Sequence, residues 1–467
     1  MTTPYTEEQQ LRDLAASSHA DEVEYHFEPT RRDFMQVLGA GILIATALSR
    51  TARAAPGGRG GGRGGGGGEG GFAGTPPANV GARIHIAKDG TITVLCGKVE
   101  CGQGARAEVT LAAAEDLAIS PSKLQCIMAD TALTPNDGAT VGSQSTPRTI
   151  PLVRQGAAAA KQFLVSLAAT ALNVPPAELT VDDGVITHKT SGKSKSYADL
   201  ASAQDLDDLL AKTPLTRNIS VTAVSQWRAL GRDFLRPNGR DIVTGKHTYP
   251  SDVQRPNMLY GKVLRAPGYK NTLTQADLAK AKALPGVVVV QDGDFVGVCA
   301  PTTAQAEKAL DAIDARWRAA PHPASSELTD YFRKNATIPA NRFTAQVAAA
   351  ARKIKTSYYI PYVQHCPMEP RAAVAEWNDG KLTVWTASQQ PFGVRSTLAQ
   401  TFNIPETDVR VVINDFGGGF GGKHTGECAV EAARLARAAG KPVLLRYTRE
   451  EEFQWAYFRP AGLMECE

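Results

Sequence analysis

The sequence lacks the cysteine arrangements through which proteins usually bind metals. Its seven cysteines are Cys96, Cys101, Cys126, Cys299, Cys366, Cys428 and Cys466. Their spacings match no zinc site and no haem attachment motif. Cys96 and Cys101 have the C-x4-C gap that opens a plant-type iron–sulfur motif, but no C-x2-C pair follows. We therefore expect small buried cysteines, and any iron–sulfur cluster on a partner.

Strong charge and long apolar runs are also absent. The formal net charge is only +4 over 467 residues, so nucleic acid is not an expected partner. The mostly apolar stretch at 34–48 is too short to cross a bilayer as a helix. A chain of this length predicts about three domains.

The N-terminal sequence is typical of an export signal. In "TRRDFMQVLGAGILIATALSRTARAA", Arg31 and Arg32 precede the apolar stretch, and an A-x-A sequence closes it at Ala54. The pattern resembles a twin-arginine signal, which predicts a signal peptide over residues 1–54 and a periplasmic protein. The alternatives are an uncleaved anchor helix or an ordinary basic patch. Twin-arginine export moves folded proteins, which suggests a bulky redox cofactor inserted before export.

The glycine-rich residues 55–78 predict a flexible linker, and a mixed α+β fold is expected after it. Alternating apolar residues predict a hairpin at 84–94, followed by a helix that ends near Leu117. An alanine-rich helix is expected at 155–172, and a strand at 259–264 opens a compact module that ends near Trp317. In the last third, strands are expected on both sides of the Asp379–Gly380 turn, and a helix follows Gln390.

The stretch "NDFGGGFGGKHTGE" at 414–427 follows a predicted strand at 409–413. Thr425 is expected to cap a helix that ends at Gly440, and a further strand and a charged turn come after it. A P-loop would need Ser or Thr where His424 stands, and a Rossmann glycine loop belongs in the first βαβ unit of a domain. A purely structural turn would explain only some of the glycines. The loop offers a row of backbone N–H donors suited to oxygen anions or an oxo group.

Four motifs together resemble one family. "GGGFGGK" at 417–423 is joined by "VECGQGA" at 99–105, "TASQQP" at 386–391 and "HCPMEPRAAVAEW" at 365–377. They are similar to signatures of the molybdenum hydroxylase large subunits, the xanthine dehydrogenase and aldehyde oxidase family. The stretch from "VTGKHTYPSDV" to "MLYGKVLRAP" resembles the α/β hammerhead domain of that family.

The order of these motifs resembles one branch of the family. In xanthine dehydrogenases the M-G-Q-G loop follows the G-G-G-F-G-G-K loop, whereas here it comes first, as in the beta subunits of isoquinoline 1-oxidoreductase and a related subunit of nicotinate dehydrogenase. The resemblance implies permuted molybdopterin-binding segments that flank the hammerhead domain. The expected boundaries are 79–230 for the first segment, 231–320 for the hammerhead domain and 335–467 for the second, incomplete segment.

The resemblance also implies a cofactor and the residues that hold it. The cofactor is molybdenum–molybdopterin in its cytosine dinucleotide form, with the metal ligated by the pterin dithiolene. Gln103 and Gly104 would bind the pterin, Ser143 and Ser145 would reach its phosphate side, and Gln389 would donate to the oxo group. The backbone of Gly419, Phe420 and Gly421 would lie beside that group. Glu369, His365 and His424 are expected to be structural rather than catalytic.

The implied reaction is hydroxylation of an aldehyde or an N-heterocycle with oxygen from water. The catalytic residue remains unknown, because the glutamate base of the family is expected beyond the end of this chain. The expected partners are a small [2Fe-2S] subunit, a cytochrome c and a separate chain that supplies the C-terminal half. The competing hypothesis is a truncated, non-catalytic remnant or folding fragment of such a subunit.

Overall fold

The computed structural model describes residues 41–45, 82–206, 209, 212–213, 219–337 and 342–467. The predicted signal peptide and linker lie outside these residues, apart from a strand at Gly41–Ala45. Contacts divide the chain into two compact units, and each of them is discontinuous in sequence. Unit 1 runs to Asp252 and takes up residues 379–416, whereas unit 2 contains residues 253–378 and 417–467. The structure thus groups part of the predicted segment 335–467 with the N-terminal half.

Strands and helices alternate irregularly along the described chain. In chain order the strands are β1 (Gly41–Ala45), β2 (Ala82–Ala87), β3 (Ile92–Cys96), β4 (Leu124–Met128), β5 (Leu179–Asp182), β6 (Val185–His188), β7 (Ser194–Ser196), β8 (Leu259–Val263), β9 (Thr272–Asp277), β10 (Val288–Asp292), β11 (Phe295–Ala300), β12 (Asp314–Arg318), β13 (Thr356–Ile360), β14 (Ala372–Asn378), β15 (Lys381–Thr386), β16 (Val409–Ile413), β17 (Val443–Arg446) and β18 (Gly462–Cys466). The helices are α1 (Ala105–Leu117), α2 (Ile150–Leu172), α3 (Tyr197–Ala201), α4 (Gly239–Thr244), α5 (Ala279–Lys282), α6 (Thr303–Asp311), α7 (Leu328–Asn335), α8 (Thr344–Ala349), α9 (Pro391–Phe402), α10 (Glu427–Ala439) and α11 (Arg449–Gln454). The mixed helix and sheet content agrees with the α+β expectation.

Unit 1 is built on a sheet with the order β1-β2-β3-β4, in which only the β3–β4 pair is parallel. The predicted hairpin is confirmed, with Ile84 opposite Val94. Helices α1 and α2 pack against each other and contact this sheet. Their buried faces are rich in alanine, which lets helix backbones approach closely. The unit also contains the antiparallel sheet β5-β6-β7 and the parallel pair β15–β16.

Unit 2 contains neighbouring strands in the order β10-β11-β8-β17-β14, in which the β8–β17 pair is parallel and the other pairs are antiparallel. Helix α10 packs against β14 and β17. The predicted module has a hydrophobic core of eight buried residues, among which Val298 and Ala306 are fully buried. Strand β12 ends this module at Arg318, close to the predicted end.

Three local predictions need correction. The alanine-rich helix starts at Ile150 rather than near 155, because a π-helical turn at Ser145–Thr149 leads into it. Thr425 does not cap α10, since Gly426 occupies that position and the Thr425 hydroxyl bonds to Glu427 instead. The charged turn after β17 is a helix, opened by a capping box between Thr448 and Glu451.

The cysteines are only partly buried as expected. Cys96, Cys299 and Cys428 are buried, whereas Cys366 and Cys466 are exposed. Burial raises the pKa of the Cys299 thiol to about 12, so it stays protonated at neutral pH. Among the described residues, no helix is both long enough and apolar enough to cross a membrane.

Leu435 of α10 packs against Gly261 of β8 and Gly297 of β11, and this packing can be tested. A Cβ at Gly261 would lie 2.6 Å from Leu435 Cδ1 and 2.9 Å from a Val443 methyl, so Gly261→Ala should cost about 1–3 kcal/mol of unfolding free energy. With Leu435→Ala in the background the cost should fall by about 1 kcal/mol, because the nearer obstructing side chain is gone and the Val443 methyl remains. Urea titration of the four proteins measures both values.

The control is Gly297, whose added Cβ would meet Leu435 Cδ2 at 2.8 Å and also the backbone oxygen of Lys262 at 2.9 Å. Leu435→Ala cannot relieve the backbone contact, so Gly297→Ala should remain costly in both backgrounds. Equal rescue of the two alanine variants would contradict this packing.

Candidate functional site

The Gln-Gly loop of unit 1 connects β3 to helix α1 and is organised by a buried carboxylate. The Glu100 side chain is only 1% exposed. Its Oε1 accepts hydrogen bonds from the backbone N–H groups of Gly102 (2.8 Å) and Gly104 (3.1 Å), and its Oε2 accepts from that of Arg106 (2.9 Å). Glu100 thereby pairs N–H groups at the start of α1, where negative charge is favourable.

The Gln103 side chain hydrogen-bonds to the backbone of the same loop. Its Oε1 accepts from Cys101 N at 2.7 Å, and its Nε2 donates to Val99 O at 2.8 Å. Gly104 has a φ of +87° and is the N-cap of α1, a backbone conformation that glycine adopts without strain. The loop therefore holds an exposed glutamine at its tip in one defined orientation.

A second carboxylate cluster holds the chain that leads towards the glycine loop. Asp415 pairs with Arg106 at 2.6 Å and accepts a hydrogen bond from Asn238 Nδ2 at 2.6 Å. Arg236 pairs with Glu100 at 2.9 Å, and Phe416 N donates to the Glu100 carbonyl at 3.2 Å. These interactions of unit 1 fix the Gln-Gly loop to residues more than a hundred positions away in sequence.

Ser143 and Ser145 lie on the small polar loop that leads into α2. Ser143 is exposed with a φ of +54°, and Ser145 begins the π-helical turn that runs into the helix. Gln389 lies after β15 and is buried, and its Nε2 donates to the carbonyl of Thr140 at 3.0 Å. The structure thus brings Gln389 to the loop that contains the two serines.

Several positions of the glycine loop in unit 2 require glycine, for different physical reasons. A Cβ at Gly417 would lie 2.8 Å from Glu369 Cβ, and one at Gly422 would lie 2.9 Å from the His365 ring. Gly418 and Gly421 have φ values of +85° and +97°. Side chains at these positions would collide or strain the backbone.

Phe420 sits at the tip of the glycine loop. It is a non-glycine residue with a φ of +53°, and its side chain is 73% exposed. The loop is closed by a hydrogen bond from Gly422 N to Gly419 O at 2.7 Å. An exposed aromatic side chain on a strained, closed loop is typical of a ligand-binding position rather than of a turn.

A buried ion pair supports the glycine loop from the protein side. The Lys423 side chain is 0% exposed, and its Nζ lies 2.8 Å from Glu369 Oε2. The same oxygen accepts from Gly417 N at 2.9 Å, so one carboxylate binds both ends of the loop. Burial lowers the pKa of Lys423, and Glu369 opposes this shift. Glu369 Oε1 is buried and has no hydrogen-bond partner among the described residues.

Arg371 ties this loop to the last helices of the chain. Its guanidinium donates to Gly422 O at 2.9 Å, pairs with Glu452 at 3.0 Å and contacts Glu427. Glu452 is fully buried, so water does not solvate its charge and the Arg371 guanidinium compensates it. Two histidines flank the loop, and desolvation lowers the pKa of both His365 and His424, which favours their neutral forms at pH 7.

The structure locates all eight predicted cofactor residues but divides them between the units. The unit 1 residues are Gln103, Gly104, Ser143, Ser145 and Gln389. The unit 2 residues are Gly419, Phe420 and Gly421. Their roles remain predictions, because no contact in the structure tests cofactor binding. Among the described residues, no group of three or more His, Cys, Asp and Glu side chains could hold a metal ion.

Sequence reasoning missed the residues that orient these loops. Glu100 lies inside the quoted "VECGQGA" motif. An acidic residue just before a glycine loop and a helix start indicates a carboxylate that accepts from the first N–H groups of the helix, and this signal was available in the sequence. Glu369 was expected to be structural, which agrees with its two bonds to the glycine loop. Lys423 points into the protein, and this position does not suit the P-loop alternative, in which the lysine reaches phosphates.

Comparison with known families assigns the chain to a class. Residues 36–250 match one model of a molybdopterin cofactor-binding domain, and residues 329–467 match another of the same description. Together the two segments cover more than half of the chain. The chain therefore belongs to the molybdopterin-binding large subunits of the molybdenum hydroxylases.

Two curated relatives agree with this assignment. A nicotinate dehydrogenase subunit of Pseudomonas putida KT2440 is 29% identical over 400 residues, which cover 82% of this chain and 33% of the relative. The beta subunit of isoquinoline 1-oxidoreductase from Brevundimonas diminuta is 26% identical over 438 residues, covering 82% and 56%. Quinoline 2-oxidoreductase from Pseudomonas putida 86 aligns structurally with a TM-score of 0.44 and 27% identity, over 51% of this chain and 37% of that one. The chain spans between a third and just over half of the two curated relatives.

The Lys423–Glu369 pair yields a stability prediction. Lys423→Met should lower the free energy of unfolding by roughly 2–4 kcal/mol, because it leaves a largely buried carboxylate without its cation. The double variant Lys423→Met with Glu369→Gln should lose less, since the neutral amide can still accept from Gly417 N. Urea denaturation followed by tryptophan fluorescence measures the difference.

The matched control is Lys123, whose ion pair with Asp183 is about half exposed on both sides, at 51% and 49%. Lys123→Met should cost less than about 1 kcal/mol. Equal losses for Lys123→Met and Lys423→Met would show that the buried pair does not support the loop.

Proposed function

We propose that this molybdopterin-binding subunit acts in a periplasmic molybdenum hydroxylase that oxidises an aldehyde or an N-heterocycle with oxygen from water. The observation that carries the proposal is the closed glycine loop, which exposes Phe420 at its tip while its lysine is buried. Two relatives are named for N-heterocycles, nicotinate and isoquinoline, and another for aldehydes. These names support the substrate class.

The loops fit a ligand that is held by neutral donors. In unit 1, Gln103, Gly104 and Gln389 are proposed to hydrogen-bond the pterin and the oxo group, with Ser143 and Ser145 towards the phosphates of a cytosine dinucleotide form. In unit 2, the backbone of Gly419 to Gly421 is proposed to lie beside the oxo group. When bound, the molybdenum–pterin group supplies the two-electron oxidation chemistry. The residues of this chain bind and orient it through fixed dipoles, which need no reorganisation during the reaction.

The domain order is proposed to be permuted relative to xanthine dehydrogenases. The family model numbered 2 matches residues 36–250, which lie ahead of the match of the model numbered 1 at residues 329–467. The β8–β12 module, with its own core, lies between these matches and fits the proposed hammerhead domain at 231–320. This order supports a branch in which the Gln-Gly loop precedes the glycine loop.

Electrons are proposed to leave through a small [2Fe-2S] subunit and then a cytochrome c. The relatives named as subunits support a multi-subunit enzyme.

Cofactor content tests the proposed function. The full chain, produced with a [2Fe-2S] partner in a host that makes molybdopterin, should contain molybdenum and pterin in equal amounts. Gly422→Ala should lower this content about tenfold or more, because its Cβ would meet the His365 ring at 2.9 Å and displace the loop. Elemental analysis and fluorescence of the oxidised pterin measure the two components.

Gly440→Ala is the matched control, since Gly440 has a φ of +61° and open space around an added Cβ. It strains the end of α10 without touching the glycine loop, so the cofactor content should stay at the wild-type level. A wild-type protein without molybdenum or pterin would contradict the proposed function and favour a non-catalytic fragment.

The proposed export route has its own test. Replacing Arg31 and Arg32 with lysine should retain the protein in the cytoplasm, because twin-arginine signals require the guanidinium pair and lysine is not equivalent to arginine. Fractionation against a cytoplasmic marker enzyme measures the distribution. Arg50→Lys makes the same chemical change outside the motif and should leave export intact. Export of the double lysine variant at the wild-type level would exclude this route.

A further inference from the structure

Thr140 lies at the junction of three loops of unit 1, and no motif of the sequence drew attention to it. It is 9% exposed and precedes the loop that contains Ser143 and Ser145. Its amide N–H, its carbonyl oxygen and its hydroxyl oxygen each form a hydrogen bond to a different group. All three partners belong to the two other loops assigned to the cofactor.

The hydroxyl of Thr140 holds the start of the Gln-Gly loop. Thr140 Oγ1 accepts from Val99 N at 3.0 Å, in a buried position. The carbonyl of the same Val99 accepts from Gln103 Nε2 at 2.8 Å. The orientation of the Gln103 amide is therefore connected to the Thr140 hydroxyl through a single residue.

The backbone of Thr140 holds Gln389. Thr140 N donates to Gln389 O at 2.9 Å, and Gln389 Nε2 donates to Thr140 O at 3.0 Å. The two bonds fix both the backbone and the side-chain amide of Gln389. Because an amide group is planar, fixing one of its N–H bonds also fixes the direction of the other and of the carbonyl oxygen.

We propose that Thr140 is a positioning residue that sets the Gln103 and Gln389 amides in one geometry, so that molybdopterin binding depends on the Thr140 hydroxyl. This inference rests on the proposed function, because both glutamines are assigned there to the cofactor. Thr140 itself acts through them and touches no reacting atom.

The surrounding contacts keep the segment in place without the hydroxyl. Gly97 N donates to Asp137 Oδ2 at 2.7 Å, and Lys98 Nζ donates to Ala139 O at 2.6 Å. Thr140→Val preserves the shape of the side chain and removes only the acceptor for Val99 N. The variant therefore folds, with one unpaired buried N–H at the start of the Gln-Gly loop.

The experiment compares Thr140→Val with Thr140→Ser and with Thr134→Val. Thr134 is 7% exposed, and its hydroxyl donates only to the nearby carbonyl of Asp130, so it matches Thr140 in burial and chemistry. Each full chain is produced with its [2Fe-2S] partner in a molybdopterin-making host. Molybdenum and pterin content, melting temperature and hydrogen exchange of residues 99–104 and 387–390 are measured.

Thr140→Val should lower cofactor content about tenfold and speed exchange in residues 99–104, at a melting temperature close to that of Thr134→Val. Thr140→Ser should restore both, because it keeps the hydroxyl. Wild-type cofactor content in Thr140→Val, or equal losses in Thr140→Val and Thr134→Val, would overturn the inference while leaving the proposed function intact. An unloaded wild type would overturn both.

Discussion

Irregular backbone must still pair its buried polar groups, and this constraint governs both the Gln-Gly loop and the glycine loop. Each unit meets it with a glutamate. In unit 1, Glu100 accepts from the N–H groups of the Gln-Gly loop and of the first turn of α1. In unit 2, Glu369 accepts from Gly417 N and Lys423 Nζ. A carboxylate can accept several hydrogen bonds at once, so one side chain stabilises a conformation that no helix or sheet would provide.

These carboxylates are themselves tied to distant parts of the chain. Arg236 pairs with Glu100, and Arg371 joins Gly422 O to Glu452 on α11. Breaking such a network would leave charges unpaired in a medium where they are poorly solvated, so each loop has essentially one stable arrangement. The geometry of a few glycines therefore depends on folding of the whole unit, which suits a site that must bind its cofactor with fixed dipoles.

Local structure could be predicted from the sequence where short-range physics decides it. The β2–β3 hairpin and the end of α1 followed from apolar periodicity and turn residues. The role of Thr140 could not be found in this way, because its partners lie far along the chain. The bond from Val99 N to the Thr140 hydroxyl spans 41 residues, and that from Gln389 Nε2 to the Thr140 carbonyl spans 249. The helix at 449–454 was missed because its charged residues conceal a capping box.

The burial of Lys423 argues against a nucleotide phosphate at the glycine loop. A lysine that follows a glycine loop serves nucleotides by extending its ammonium group towards phosphates. Here that group is directed away from solvent and paired with Glu369, and burial lowers its pKa. The loop therefore has no ammonium group at the position from which a P-loop lysine reaches phosphates. A polyphosphate, whose charge needs a cation close by, is disfavoured there.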